Sequence, residues 1–206
     1  MQTLFLSANN GLHFAWYETQ QVSAGTIADH RAKRPPYSFT IEPLGGKTLK
    51  VQDLVDISSN DTLHFAWYLE PDSKKLDGFD SLWVCSGPSN ALGTKRDWYP
   101  SAFPKGAHRD DLLFITSNND LHFAWFRKGE ELWVGRGSSD NLGKKGVHHC
   151  LLPPEVKIGH ILYMASNDQQ HFAFLRNGRY LAGKSDRLEK VRSGGVYDLT
   201  ELSAFR

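Results

Sequence analysis

Four histidines recur in one local setting: His13, His64, His122 and His171. The first two stand in LHFAWY (Leu12–Tyr17 and Leu63–Tyr68), the third in LHFAWF (Leu121–Phe126) and the fourth in QHFAFL (Gln170–Leu175). A neutral imidazole can ligate a metal, move a proton or hydrogen-bond a ligand. It can equally fill a packing notch and bond a backbone carbonyl or a turn asparagine of the next repeat. Two tryptophans recur in the same way. Trp83 lies in SLWVCSG and Trp133 in ELWVGRG. A flat indole face suits the C–H side of a sugar ring, and Asn90, Arg136, Ser138 and Asn141 follow close behind as hydrogen-bonding groups. The same polar residues are ordinary turn formers. The candidate ligand-binding set is therefore Trp83, Trp133, Asn90, Arg136, Ser138 and Asn141, with His64 and His122.

Other chemistry has little to stand on. There is no GxSxG, HExxH, phosphate-cradling glycine loop or calcium-binding loop. Carboxylates are scattered, and Asp56 is the only acid at its place in the repeat. His148 and His149 are neighbours, so on a strand they point to opposite faces. Zinc needs ligands that converge about 2 Å from the ion. The expectation is no catalysis, no metal and no cofactor. Lys plus Arg is 24 against 23 for Asp plus Glu, a balance that gives no general attraction to nucleic acid. The run Arg31-Ala32-Lys33-Arg34 reads as a solvated loop. Cys85 and Cys150 form no CxxC pair, which points to free thiols in a reducing compartment. MQTLFLSANN does not read as a signal peptide. No run approaches the roughly 18 apolar residues of a membrane span. A cytoplasmic or leaderless secreted protein is expected.

The elements that hold these residues come from the repeat. Successive histidines are 51, 58 and 49 residues apart. Upstream of each stands a copy of one segment: LFLSANNG, VDISSNDT, FITSNND and YMASNDQ. Downstream, SLWVCSGPSNALG matches ELWVGRGSSDNLG, with fainter echoes in VSAGT and YLAGKSD. A fourth apolar segment closes each copy, starting at Tyr37, Trp98, Val147 and Val196. Each copy thus holds four short β-prone segments, punctuated by Gly, Asn, Asp and Pro. Arg127-Lys128-Gly129-Glu130 and Arg176-Asn177-Gly178-Arg179 read as hairpin turns. Two longer insertions, 29–36 and 71–80, read as rim loops.

Four copies of four antiparallel strands predict an all-β chain folded as one four-bladed β-propeller domain, with repeats at about 1–51, 52–109, 110–158 and 159–206. In the second strand Leu, Phe and Trp share one face, while His, Ala and an aromatic share the other. The small alanine between two large residues makes a notch that takes a neighbouring blade or a ligand.

The unit FITSNNDLHFAWFRKGEELWVGRGSS (Phe114–Ser139) resembles the blade of tachylectin-like and tectonin-type propeller lectins. That resemblance implies a non-catalytic, multivalent carbohydrate-binding protein whose partners are glycans or glycoconjugates, compatible with a homo-oligomer. Repeated weak sites on a rigid ring gain avidity without new contacts. The fourth copy lacks the tryptophans, so its site is expected to be weaker. The alternative is a protein-interaction or toxin-associated propeller module that binds through its rim loops.

Overall fold

A computed structural model of the chain describes residues 14–18, 21–25, 28–29, 32, 37–40, 54–60, 63–69, 82–88, 92, 98–103 and 107–191. Within them the protein is all-β. The first sheet contains β1 (Phe14–Glu18), β2 (Gln21–Gly25) and β3 (Tyr37–Thr40). The second sheet contains β4 (Leu54–Ser59), β5 (His64–Leu69), β6 (Leu82–Gly87) and β7 (Trp98–Ser101). The third contains β8 (Leu112–Ser117), β9 (His122–Lys128), β10 (Glu131–Gly137) and β11 (Val147–Cys150). The fourth contains β12 (Ile161–Ser166), β13 (His171–Leu175), β14 (Tyr180–Lys184) and β15 (Arg187–Lys190). Every sheet is an antiparallel meander in chain order.

The hairpin turns form where the sequence placed them. Gly129 and Gly178 take φ of 62° and 78°, the left-handed region that glycine enters without steric cost. One expectation changes. The fourth strand of the fourth sheet is Arg187–Lys190, paired to β14 across Ser185 and Asp186, whereas the sequence pattern puts it at the segment from Val196. That segment, the first copy's LFLSANNG, most of 29–36 and all of 71–80 lie outside the described residues. β15 reads poorly as a strand because it is an edge, and three of its four residues are charged and exposed.

The second, third and fourth sheets stack face to face in succession, with β4, β8 and β12 side by side. This is how propeller blades are arranged. The alternating pattern of the second strand does the packing. Phe65, Trp67 and Leu69 face forward onto Ile115, Ala124 and Phe126 of the third sheet. Phe123 and Trp125 in turn face Met164, Ala173 and Leu175 of the fourth. Both tryptophans are fully buried. The first strands of the second, third and fourth sheets carry a β-bulge at one equivalent place, Val55, Leu113 and Leu162. The extra residue bends the strand and increases its twist.

In the second, third and fourth sheets the third strand has a glycine at or next to its end, directly opposite the histidine: Gly87, Gly137 and Gly183. At Gly137 and Gly183 the reason is space. A Cβ there would lie 1.7 Å from the Asn141 carbonyl oxygen and 2.1 Å from that of Arg187.

Candidate functional site

Three of the repeated histidines lie among the described residues and are buried, with His64 1% exposed and His122 and His171 6% exposed. Each sits opposite a serine of its own first strand, and the two side chains meet. Nδ1 lies 2.5 Å from Ser59 Oγ for His64, 2.7 Å from Ser117 Oγ for His122 and 2.7 Å from Ser166 Oγ for His171. The turn asparagines are occupied elsewhere. Asn60, Asn118 and Asn167 each accept, through Oδ1, the N–H of the residue just before the histidine.

The serines continue the connection into the preceding blade. Ser117 Oγ donates to Ser58 Oγ (2.6 Å), which also accepts the Trp67 indole N–H (2.8 Å). Ser166 Oγ donates to Thr116 Oγ1 (2.6 Å), which accepts the Trp125 indole N–H (2.9 Å). The imidazoles then insert among rings of that preceding blade. His122 lies 4.4 Å from Phe65 and 5.1 Å from Trp67, edge to face, and His171 lies 4.3 Å from Phe123 and 5.0 Å from Trp125. Burial pushes His122 down to about 4, and burial with Arg136 and His148 nearby does the same to His171. Both are neutral at pH 7.

Asp56 has a related job. Its carboxylate accepts the Ile57 N–H (2.8 Å) and, across the blade interface, the Ile115 N–H (2.6 Å). Burial pushes it up to about 7, against those two donors, which favour the charged form. Phe114 and Tyr163 stand at its place in the next two copies.

The tryptophan platforms and their polar partners lie apart. Trp133 is near the start of β10, whereas Ser138 and Asn141 lie beyond its end, roughly 17 Å along the strand at about 3.3 Å per residue. Trp133 is half-buried. Its Nε1 donates to Glu131 (3.0 Å), its ring lies 5.6 Å from that of His149, and Lys128 Nζ stands 4.8 Å from the ring centre. Ser138 and Asn141 bridge each other in a tight turn, where the Asn141 N–H donates to the Ser138 carbonyl (3.0 Å). Trp83 is half-buried in β6 between Tyr68 and Pro100, and Asn90 lies outside the described residues.

Arg136 sits elsewhere, in an open polar cleft of about 460 Å³ between the third and fourth sheets. Arg136 and His148 come from the third sheet; His171, Lys184, Ser185 and Asp186 come from the fourth. His148 Nε2 is 3.3 Å from Ser185 Oγ. Burial and the Arg136 charge lower the His148 pKa, and Asp186 opposes them. Arg136 Nε is buried and has no hydrogen-bond acceptor. Of these residues the sequence singled out only Arg136 as a ligand contact. The signal for the cleft was a break in the repeat, because Ser86 and Ala182 occupy the position of Arg136 in the neighbouring copies.

Among the described residues, no three of His, Cys, Asp or Glu stand together as metal ligands would, and no helix is long and apolar enough to cross a membrane. Cys85 and Cys150 are buried and form no disulfide, and burial raises the Cys150 thiol to about 12.

No protein-family model matches the chain, and no curated protein matches it in sequence. Several solved structures are similar. Human WBSCR16 is 9% identical with a TM-score of 0.41, over 79% of this chain and 45% of that one. The yeast RCC1 (Prp20) complex with Kap60 gives 8% identity and a TM-score of 0.39, over 90% and 48%. AztD from Citrobacter koseri gives 9% and 0.41, over 94% and 58%. The chain therefore spans about half the length of the structures it resembles.

Proposed function

We propose that this chain is a non-catalytic binding module for a carbohydrate-type ligand, held in the cleft between the third and fourth sheets. The observation that carries the reading is the cleft itself. Its volume of about 460 Å³ falls in the range of small-ligand sites. Its wall alternates hydroxyl, carboxylate, imidazole and guanidinium groups beside the Phe123 ring, and a hydrated polyol needs that mixture. The likeness of the blade to tectonin-type lectins points the same way. Trp83 and Trp133 form a second, repeated platform at the other end of the third strands. Binding to a glycan array should be competed by free sugar and weakened at least about tenfold by Arg136→Ala, the loss of one charge-assisted hydrogen bond. Loss with Trp83→Ala or Trp133→Ala instead would move the site to the platforms. No binding at high protein density would sink the carbohydrate reading in favour of a protein partner.

The ring that carries this cleft has four blades in this proposal, and the hydroxyl row supports its closure. In each described interface, the residue five before the histidine donates to the residue six before the histidine of the preceding copy. By sequence, the first copy has Ala8 at the donor place, and the fourth has Ala165 at the acceptor place. The one copy without a donor would follow the one copy without an acceptor. Ala8→Cys with Ala165→Cys should therefore form an intramolecular disulfide on oxidation. Ser58→Cys with Ser117→Cys, whose hydroxyl oxygens are 2.6 Å apart, is the control. A control that cross-links beside an Ala8–Ala165 pair that does not would show an open array.

A further inference from the structure

We infer that the ligand of this cleft carries an oxyanion, a carboxylate or sulfate on the sugar, and that Arg136 is its main contact. The inference rests on the carbohydrate reading for the rest of the ligand but not for the anion. Arg136 and Lys184 bring two positive charges to the cleft, and Asp186 brings one negative charge. No ion pair joins Asp186 to either cation among the described residues. His148 and His171 are held neutral by burial and by the Arg136 charge, so they act as hydrogen-bonding groups. His171 Nδ1 is already engaged by Ser166, which leaves Nε2 for the cleft.

The guanidinium is the unsettled member. It has no carboxylate partner, and its Nε–H is buried away from both water and any acceptor. A buried donor in that state is costly. Turning onto an oxyanion would give the charge a counterion and Nε an acceptor in one movement. A guanidinium presents paired donors that match the two oxygens of a carboxylate, sulfate or phosphate group. A neutral sugar hydroxyl satisfies the donor but leaves the charge uncompensated. The equivalent clefts would lack this feature, because Ser86 and Ala182 replace Arg136. One anionic subsite is expected, and not a ring of them.

The test is calorimetric titration of the full chain with lactose, sulfated lactose and sialylated lactose, and separately with sodium sulfate and sodium phosphate. The acidic lactoses should bind at least about tenfold more tightly than lactose, with affinity falling as salt rises. Arg136→Met should abolish that preference. Lys184, exposed at the cleft edge, supplies a second variant that will not disturb folding. Lys184→Gln should weaken the acidic ligands and Asp186→Asn should strengthen them, so opposite signs at two surface residues decide the matter even if Arg136→Met does not fold. Equal binding of lactose and its acidic forms would overturn the inference and leave the carbohydrate reading standing. Binding of sulfate or phosphate without any lactose would do the reverse. No binding of any of the five would remove both.

Discussion

Between pH 6.5 and 4 the neutral burial of His122 and His171 should make the protein lose stability as acid is added, and substituting them should flatten that slope. His122 and His171 are pushed from 6.5 down to about 4, chiefly by burial. A group with a depressed pKa that is neutral in the folded state stabilises fully above its unfolded value. That contribution is lost as pH falls through 6.5 towards 4, and amounts to roughly 3 kcal/mol for each histidine. Asp56 runs the other way. Its pKa is raised from 3.8 to about 7, so its contribution is present in acid and is lost as pH rises through 7, on the order of 4 kcal/mol. Two protons taken up on unfolding therefore oppose one released. Together these three groups contribute about one proton to the slope, or roughly 1.4 kcal/mol per pH unit. Urea unfolding at a series of pH values should show it. His122→Gln should lower the slope by about one proton, and the double variant with His171→Gln by about two. Asp56→Asn should steepen it to about two protons. Differences between variants cancel the surface carboxylates common to all. If His122→Gln leaves the slope unchanged, the imidazole is not buried in the neutral form between Phe65 and Trp67.

Much of this interior was legible in the sequence, and the part that was not has a physical cause. The strand order, the hairpin turns and the two faces of LHFAWY follow from period-two alternation and from Gly, Asn and Asp at fixed offsets. The histidine's partner did not follow. A carbonyl or turn asparagine of the next blade was expected, whereas the partner is a serine of the same sheet and the neighbour is the preceding blade. Both serine and asparagine stand in register with the histidine, so residue identity could not choose between them. The pairing register chooses. A four-residue loop places residues five apart directly opposite, as at Ser117 and His122, with their side chains on one face. The bulges at Val55, Leu113 and Leu162 leave no compositional mark at all.

The cleft was hidden for a different reason. Its walls come from two copies, and reading each copy by itself separates Arg136 and His148 from Lys184 and Asp186. A repeat shows what is alike, and alikeness is dominated by packing. Function is better sought where one copy departs from the others and the departure is polar. Arg136 is such a place. So is Asp56, where the departure spends a carboxylate on two backbone N–H groups and pins the second sheet to the third.

The fourth copy also departs from the pattern in a way that can be transplanted. Ala165 replaces the hydroxyl residue and Phe174 replaces the tryptophan that would donate to it. The two losses belong together, since a buried indole N–H without an acceptor costs about 1–3 kcal/mol. In the third sheet Thr116 Oγ1 serves two donors, the Trp125 indole and the Ser166 hydroxyl. Thr116→Ala should therefore destabilise by about 2–4 kcal/mol, more than the loss of one methyl and one hydroxyl at the surface would. Trp125→Phe alone should cost a similar amount, because Trp125 is fully buried against the fourth sheet and the smaller ring leaves a cavity. The double variant should cost less than the sum by about 1–2 kcal/mol, because the phenyl ring has no N–H left to satisfy. Chemical denaturation of the four proteins closes this cycle. Strict additivity would mean that the Trp125 indole and the Thr116 hydroxyl do not depend on each other. Coupling of that size would mean that the indole and the threonine hydroxyl are bonded inside the third sheet, at the oxygen where Ser166 of the fourth sheet joins them.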